Sequence, residues 1–201
     1  MDFLTQNSKL KKTSKELGVR VFNFGIPAYK SASGKLTCPF AKDCVKYCYA
    51  QKGAYIWGNV SPAFERRYEA TKLDTFVDLM TQEIRRKKVD FLRIHDSGDY
   101  YSPAYLEKWL QIARNNPQTK FYSYTKSVPL FENVELPENF DVIFSQGSKV
   151  DFLIEPETMR HSKIFKSAEE LTIAGYVDAS KIDLYATKWY NKNHKVGLIF
   201  H

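Results

Sequence analysis

The stretch Val89-Asp90-Phe91-Leu92-Arg93-Ile94-His95-Asp96-Ser97-Gly98-Asp99-Tyr100-Tyr101-Ser102-Pro103 runs from a strand through a polar turn to a helix start. Val89 to Ile94 carries the branched and aromatic residues that suit a pleated surface. Ser102-Pro103 sets a good N-cap before proline at the first helical position. Leu106, Trp109, Leu110 and Ala113 then recur at helical spacing. A strand delivered into a helix by a short polar loop is a βα unit.

The same unit recurs in both directions. Upstream, Val19 to Phe24 reads as a first strand. Ser61-Pro62 reads as the cap of a helix running to about Lys72, and Asp74 as the cap of the next, with Phe76, Leu79, Met80 and Ile84 on its apolar face. Downstream, Lys120 to Tyr124, Phe140 to Ser145, Lys163 to Lys166 and Val196 to Phe200 read as further strands. Ser167 with Glu170 forms a capping box. Alternation of this kind predicts an α/β fold with a parallel sheet. Six strands in 201 residues fit an incomplete (β/α)6 TIM-like barrel, because a complete eightfold one takes about 250 residues. With no internal repeat and no linker, residues 1–201 are expected to form a single domain.

The chain is 43% hydrophobic and 26% charged, the balance of a soluble globular protein. It holds no apolar run of the roughly 18 residues that span a bilayer, and its first residues lack the order of a secretory signal. No membrane partner is expected. The net charge is +7, and residues 1–72 hold 13 Lys and Arg against 5 Asp and Glu. That excess suits a polyanion, and Lys9, Lys11, Lys12, Lys15 and Arg20 are the candidate nucleic-acid contacts. A solvated basic surface is the plainer alternative.

The three cysteines, Cys38, Cys44 and Cys48, lie within Thr37-Cys38-Pro39-Phe40-Ala41-Lys42-Asp43-Cys44-Val45-Lys46-Tyr47-Cys48-Tyr49-Ala50. An odd number so closely spaced makes no paired disulfide framework. Structural zinc takes four protein ligands, and the nearest histidine is the distant His95. Three thiolates with one other ligand suit a [4Fe–4S] cluster, which is the expected cofactor. Zinc and incidental buried thiols are the alternatives. The spacing predicts Cys44 and Cys48 on neighbouring turns of one helix face. Lys42 and Lys46 are expected to favour thiolate, and Phe40, Tyr47 and Tyr49 to screen the site from water.

In a barrel, chemistry collects where strands end. The second strand ends in His95-Asp96-Ser97-Gly98-Asp99, the third in Ser123-Tyr124-Thr125-Lys126-Ser127 and the fourth in Ser145-Gln146-Gly147-Ser148. His95, Asp96 and Asp99 are expected to face a metal centre held by the first loop. Substituting His95 or Asp99 with alanine should then alter the bound group and leave the melting temperature nearly unchanged.

These stations resemble the radical S-adenosylmethionine enzymes, in which a cysteine loop follows the first strand and glycine-rich and polar elements follow the second and third. Here the cysteine spacing is C-x5-C-x3-C rather than C-x3-C-x2-C. The resemblance implies S-adenosylmethionine as a second ligand on an open iron, held by His95, Asp96, Ser97, Gly98, Asp99, Ser123, Thr125 and Lys126. A closer resemblance, from about Asn7 to His201, is to the phage gene product 88 family. It rests on Thr37 to Ala41 with Cys44 and Cys48 to Ala50, on Arg93 to His95 with Ser97 to Asp99, and on Tyr124 to Ser127. It implies a phage or prophage protein with an iron–sulfur cluster on a radical-S-adenosylmethionine-like barrel, in the cytoplasm of an infected or lysogenic bacterial host. Three functions fit. The first is a cluster protein with a redox or regulatory role, whose fourth ligand is His95, Asp99, His201 or a small anion. The second is a radical S-adenosylmethionine enzyme, and the third a basic nucleic-acid-binding module.

Overall fold

The computed structural model describes residues 2–46, 48–58 and 60–200. Its strands are β1 (Val21–Phe24), β2 (Phe91–Ile94), β3 (Lys120–Thr125), β4 (Phe140–Ser145), β5 (His161–Phe165), β6 (Val177–Asp178) and β7 (Lys195–Ile199). The helices are α1 (Ser8–Leu17), α2 (Ser61–Thr71), α3 (Phe76–Lys87), α4 (Pro103–Asn115) and α5 (Ala168–Ile173). Every strand pair is parallel, in the order β1-β2-β3-β4-β5-β7-β6, and the sheet curls into a half-barrel. The α/β class and parallel sheet follow the sequence pattern. The strand count does not: the described residues form seven, because β6 is a two-residue edge strand too short to show any alternation.

Strand alternation splits the core in two. Phe24, Leu92, Ile94, Phe121 and Val142 face α3 and α4 and bury Phe76, Met80, Leu106 and Trp109. Val21, Phe91, Tyr122, Ile143 and Val196 point the other way, against Leu10 of α1 and the turn at Leu184 and Ala186. Leu79 stays 38% exposed, and Val77 takes the place expected of it on the buried face of α3.

Helix α1 has no counterpart in the sequence reading. Its residues are mostly polar, but Asn7 caps it by accepting from Leu10 N, and Gly18 ends it at φ 66°. That terminus delays β1 to Val21. Ser102 caps α4 as expected, accepting from Tyr105 N. Ser61 and Asp74 do not cap: the cap positions belong to Val60 and Thr75, and neither makes a side-chain cap bond. Ser167 caps α5, and Glu170 reaches back to Lys166 N at 3.2 Å rather than to the cap's own N–H.

Candidate functional site

Parallel strands bring the loops after β1, β2, β3 and β4 to one edge, and a circuit of hydrogen bonds joins them there. The backbone N–H of Asp99 donates to the Thr37 carbonyl at 2.9 Å, tying the β2 loop to the cysteine loop. The Asp99 carboxylate accepts from Thr125 Oγ1 at 2.6 Å and from Lys126 N at 2.9 Å, crossing to the β3 loop. Lys126 Nζ donates to the Gln146 carbonyl at 2.7 Å in the β4 loop. Ala41 pairs with Ser148 in an antiparallel bridge, and Lys149 N donates to the Phe40 carbonyl at 3.0 Å. The circuit thus returns to the cysteine loop, with Cys38 inside the returning segment.

Each segment has a local reason for its shape. Asp151 accepts from Gly147 N, Ser148 N and Ser148 Oγ, which folds the β4 loop into a tight turn. Gly98 has φ 79°, and a Cβ there would stand 2.2 Å from Ile26 Cγ1. Only glycine allows that approach. His95 also adopts positive φ, at 65°, which costs a non-glycine residue energy and aims its side chain inward.

The thiols are free. Burial pushes the Cys38 thiol up, and the nearby charges of Asp99, Cys48 and Cys44 push it further. Burial is also the first cause raising Cys48, where Lys126 is the cation that counteracts it, rather than the expected Lys42 and Lys46. Cys38 thus feels the charge of Asp99 on the β2 rim, and Cys48 that of Lys126 on the β3 rim. Cys44 and Cys48 do not share a helix face, however. Cys44 lies in a 3₁₀ turn, Asp43–Lys46, and Cys48 precedes a second, Tyr49–Gln51. Among the described residues no three His, Cys, Asp or Glu side chains are arranged to hold a metal ion. The donor set suits a soft thiophilic metal.

The remaining candidate residues divide by employment. Asp99 spends its carboxylate on Tyr100 N, Thr125 and Lys126, and burial still raises its pKa. Ser123 is buried and meets Tyr100 Oη at 3.1 Å. Ser97 accepts from Ile26 N through its carbonyl. His95 Nε2 pairs with Tyr105 Oη at 2.9 Å, while Nδ1 is buried without a partner. Burial lowers its pKa to about 3, so the ring is neutral. Asp96 meets Tyr55 Oη at 3.3 Å through Oδ2, and its Oδ1 has no partner. Burial raises its pKa against the opposing pull of Arg93, Asn23 and Arg67. Tyr47 and His201 lie outside the described residues. Tyr49 is 57% exposed overall, yet its hydroxyl reaches inward to the Asp96 carbonyl, and burial there pushes its pKa up to about 12.

The sequence motif included Thr37 and Phe40 but did not show their part in the circuit, which they take through backbone carbonyls that carry no side-chain signature. Asp151 had one, as an acidic residue following the small Gly147-Ser148 turn.

A model of the gene product 88 family matches residues 2–198. The chain is 31% identical over 116 residues to the Gene 88 protein of Mycobacterium phage L5, which covers 52% of this chain and 47% of that protein. It is 26% identical over 137 residues to the Gene 88 protein of Mycobacterium phage D29, covering 61% and 55%. The chain spans about half the length of these relatives. No solved structure matches it, and no helix among the described residues is long and apolar enough to cross a membrane. On the match across nearly its whole length, the chain belongs to the gene product 88 family.

Proposed function

We propose that this phage-type protein holds a [4Fe–4S] cluster through Cys38, Cys44 and Cys48 at the carboxyl edge of a radical-S-adenosylmethionine-like half-barrel, in a redox or regulatory role. The supporting observation is that three free thiols stand in one loop, fastened to the β2 rim by the Asp99–Thr37 bond. Such a cluster supplies one-electron chemistry when bound. Without it, burial holds Cys38 and Cys48 as thiols, and a bound metal would offset the charge of their thiolates.

The chain's own residues have plain tasks in this reading. Lys126, held by the Ser145 and Gln146 carbonyls, places a positive charge beside Cys48. Asp99 fastens the loops together. A radical S-adenosylmethionine enzyme would need Asp99 to receive the ligand's ammonium group as well. With three protein donors on about four acceptor positions, the carboxylate has room for one more bond. Its three protein bonds make the clamp role the favoured one, and the single remaining acceptor position is all it could offer an ammonium group.

Protein purified without oxygen should carry about four irons and four sulfides per chain, the content of the cube. Alanine at any one of the three cysteines should remove most of the iron. Stoichiometric zinc in protein made with ample iron would overturn the reading. Titration with S-adenosylmethionine, followed by the spin-resonance signal of the reduced cluster, separates the roles: an unchanged signal supports the non-enzymatic one.

A further inference from the structure

We propose that the outward face of the loop after β1, residues 30–46 and 48–58, binds single-stranded nucleic acid, with bases stacked on Trp57 and Tyr49 and phosphates paired with lysines. Lys30, Lys35, Lys42, Lys46 and Lys52 are all exposed, and Asp43 is the one acidic residue among them in the sequence. Among the described residues none of the five makes an ion pair with a carboxylate. In the same loop Tyr49 falls between Lys46 and Lys52, and Ile56 and Trp57 follow; they are 57%, 63% and 61% exposed. Charge alone would suit any polyanion. Exposed rings set among lysines suit a polyanion that also offers flat faces, which a single strand does and a duplex does not.

A groove of about 180 Å³ opens in the same loop, between Lys30, Gln51, Tyr55, Ile56, Phe64 and Glu65. It is smaller than the pockets that take drug-sized ligands, and its aromatic wall, with Tyr55 and Phe64 stacked at 5.6 Å, suits one planar ring. The amino-terminal lysines form a poorer surface. Lys9 is committed to Asp183 at 2.8 Å, and Lys11, Lys12 and Lys15 are exposed on a helix with no exposed aromatic residue. The side chains it relies on are lysines and rings rather than thiols, although Lys46 and Tyr49 flank Cys48 in the cysteine loop.

The test uses the full chain with fluorescein-labelled oligothymidylate and oligouridylate of about 12 nucleotides in about 50 mM salt, followed by anisotropy and tryptophan quenching. Binding should weaken with salt by a log–log slope of about −0.7 per neutralised phosphate. Trp57→Ala should weaken it between about 5- and 100-fold, the effect of losing one stacked base. Lys35→Glu with Lys52→Glu should abolish it, and Lys11→Glu with Lys15→Glu should change it less than about twofold. These side chains are exposed, so an unchanged melting curve confirms that the variants fold. Tighter binding of the DNA or of the RNA strand identifies which is preferred, and either supports the proposal. Three results would overturn it: no binding, equal affinity for a duplex of the same length, or equal competition by polyglutamate together with indifference to Trp57→Ala. The last would point to an acidic protein partner.

Discussion

Asp99 Oδ1 accepts a hydrogen bond from Thr125 Oγ1 at 2.6 Å and so joins the rims after β2 and β3. Its other partners are the N–H groups of Tyr100 at 2.7 Å and Lys126 at 2.9 Å. Removing the carboxylate therefore leaves three donors short of an acceptor in a site only 5% exposed. Each unsatisfied buried group costs about 1–3 kcal/mol. Asp99→Ala should destabilise the fold by about 3 kcal/mol, measured by urea unfolding, and Asp99→Asn by less, since its amide oxygen still accepts. A cost below about 1 kcal/mol for the alanine variant would show that the clamp is not needed.

His95 gives the protein an acid-sensitive element. Its folded pKa of about 3 lies below the ordinary 6.5, because burial disfavours the imidazolium. The unfolded chain thus binds a proton that the folded chain refuses. Stability contributed by His95 is complete above about pH 6.5 and is lost as pH falls toward 3, with a slope approaching 1.4 kcal/mol per pH unit. His95→Gln, which can still bond Tyr105, should flatten that part of the profile. Parallel profiles for the two proteins between pH 6.5 and 4 would sink this assignment.

Asp96 works in the opposite sense. Burial raises its pKa, so ionising it costs the folded state more than the unfolded one. Stability tied to this group falls as pH rises through the raised value. Asp96→Asn keeps the shape, removes the buried charge and should stabilise the protein at neutral pH by about 1 kcal/mol. The gain should vanish below the ordinary carboxylate range, where the native residue is itself protonated. Destabilisation at pH 7 would mean that its attraction to Arg67 and Arg93 outweighs burial.

These expectations separate what side chains announce from what folding alone determines. The βα rhythm was legible because Ser102-Pro103 and the apolar spacing of α4 are local signals. Helix α1 was not, because much of its stability comes from burying Leu10 and Thr13 against distant residues. At the site, the sequence marked Cys38, His95 and Asp99 as chemically equipped but suggested that losing His95 or Asp99 would spare stability. Their burial and hydrogen bonds make both structural, whatever else they do. The 3₁₀ turns that separate Cys44 from Cys48 were illegible for a related reason. The C-x3-C spacing is helical, and the fold of the surrounding loop overrides it.

The least legible feature is Asp183, which is fully buried 90 residues beyond its partner Arg93. Its carboxylate meets Arg93 Nη1 at 3.2 Å, Lys9 Nζ at 2.8 Å and Tyr122 Oη at 2.6 Å, fastening α1 and the chain's last third to the sheet. Burial alone would raise its pKa, but Arg93 and Lys9 with the hydrogen bonds of Lys9 and Tyr122 hold it down at about 2. Its stabilisation is therefore complete above the ordinary value near 4 and is lost as pH falls through 2. Asp183→Asn leaves Arg93 without a counter-charge in the interior, a change that typically costs 3–5 kcal/mol. Adding Lys9→Met to that variant removes one of the two stranded cations and should recover about 1 kcal/mol, whereas Lys9→Met alone should destabilise. That reversal of sign is the signature of coupling, and a double-mutant cycle in urea reads it directly. Additive costs in the cycle would show that α1 is held by Leu10 and Thr13 alone, with the Lys9 ion pair contributing nothing.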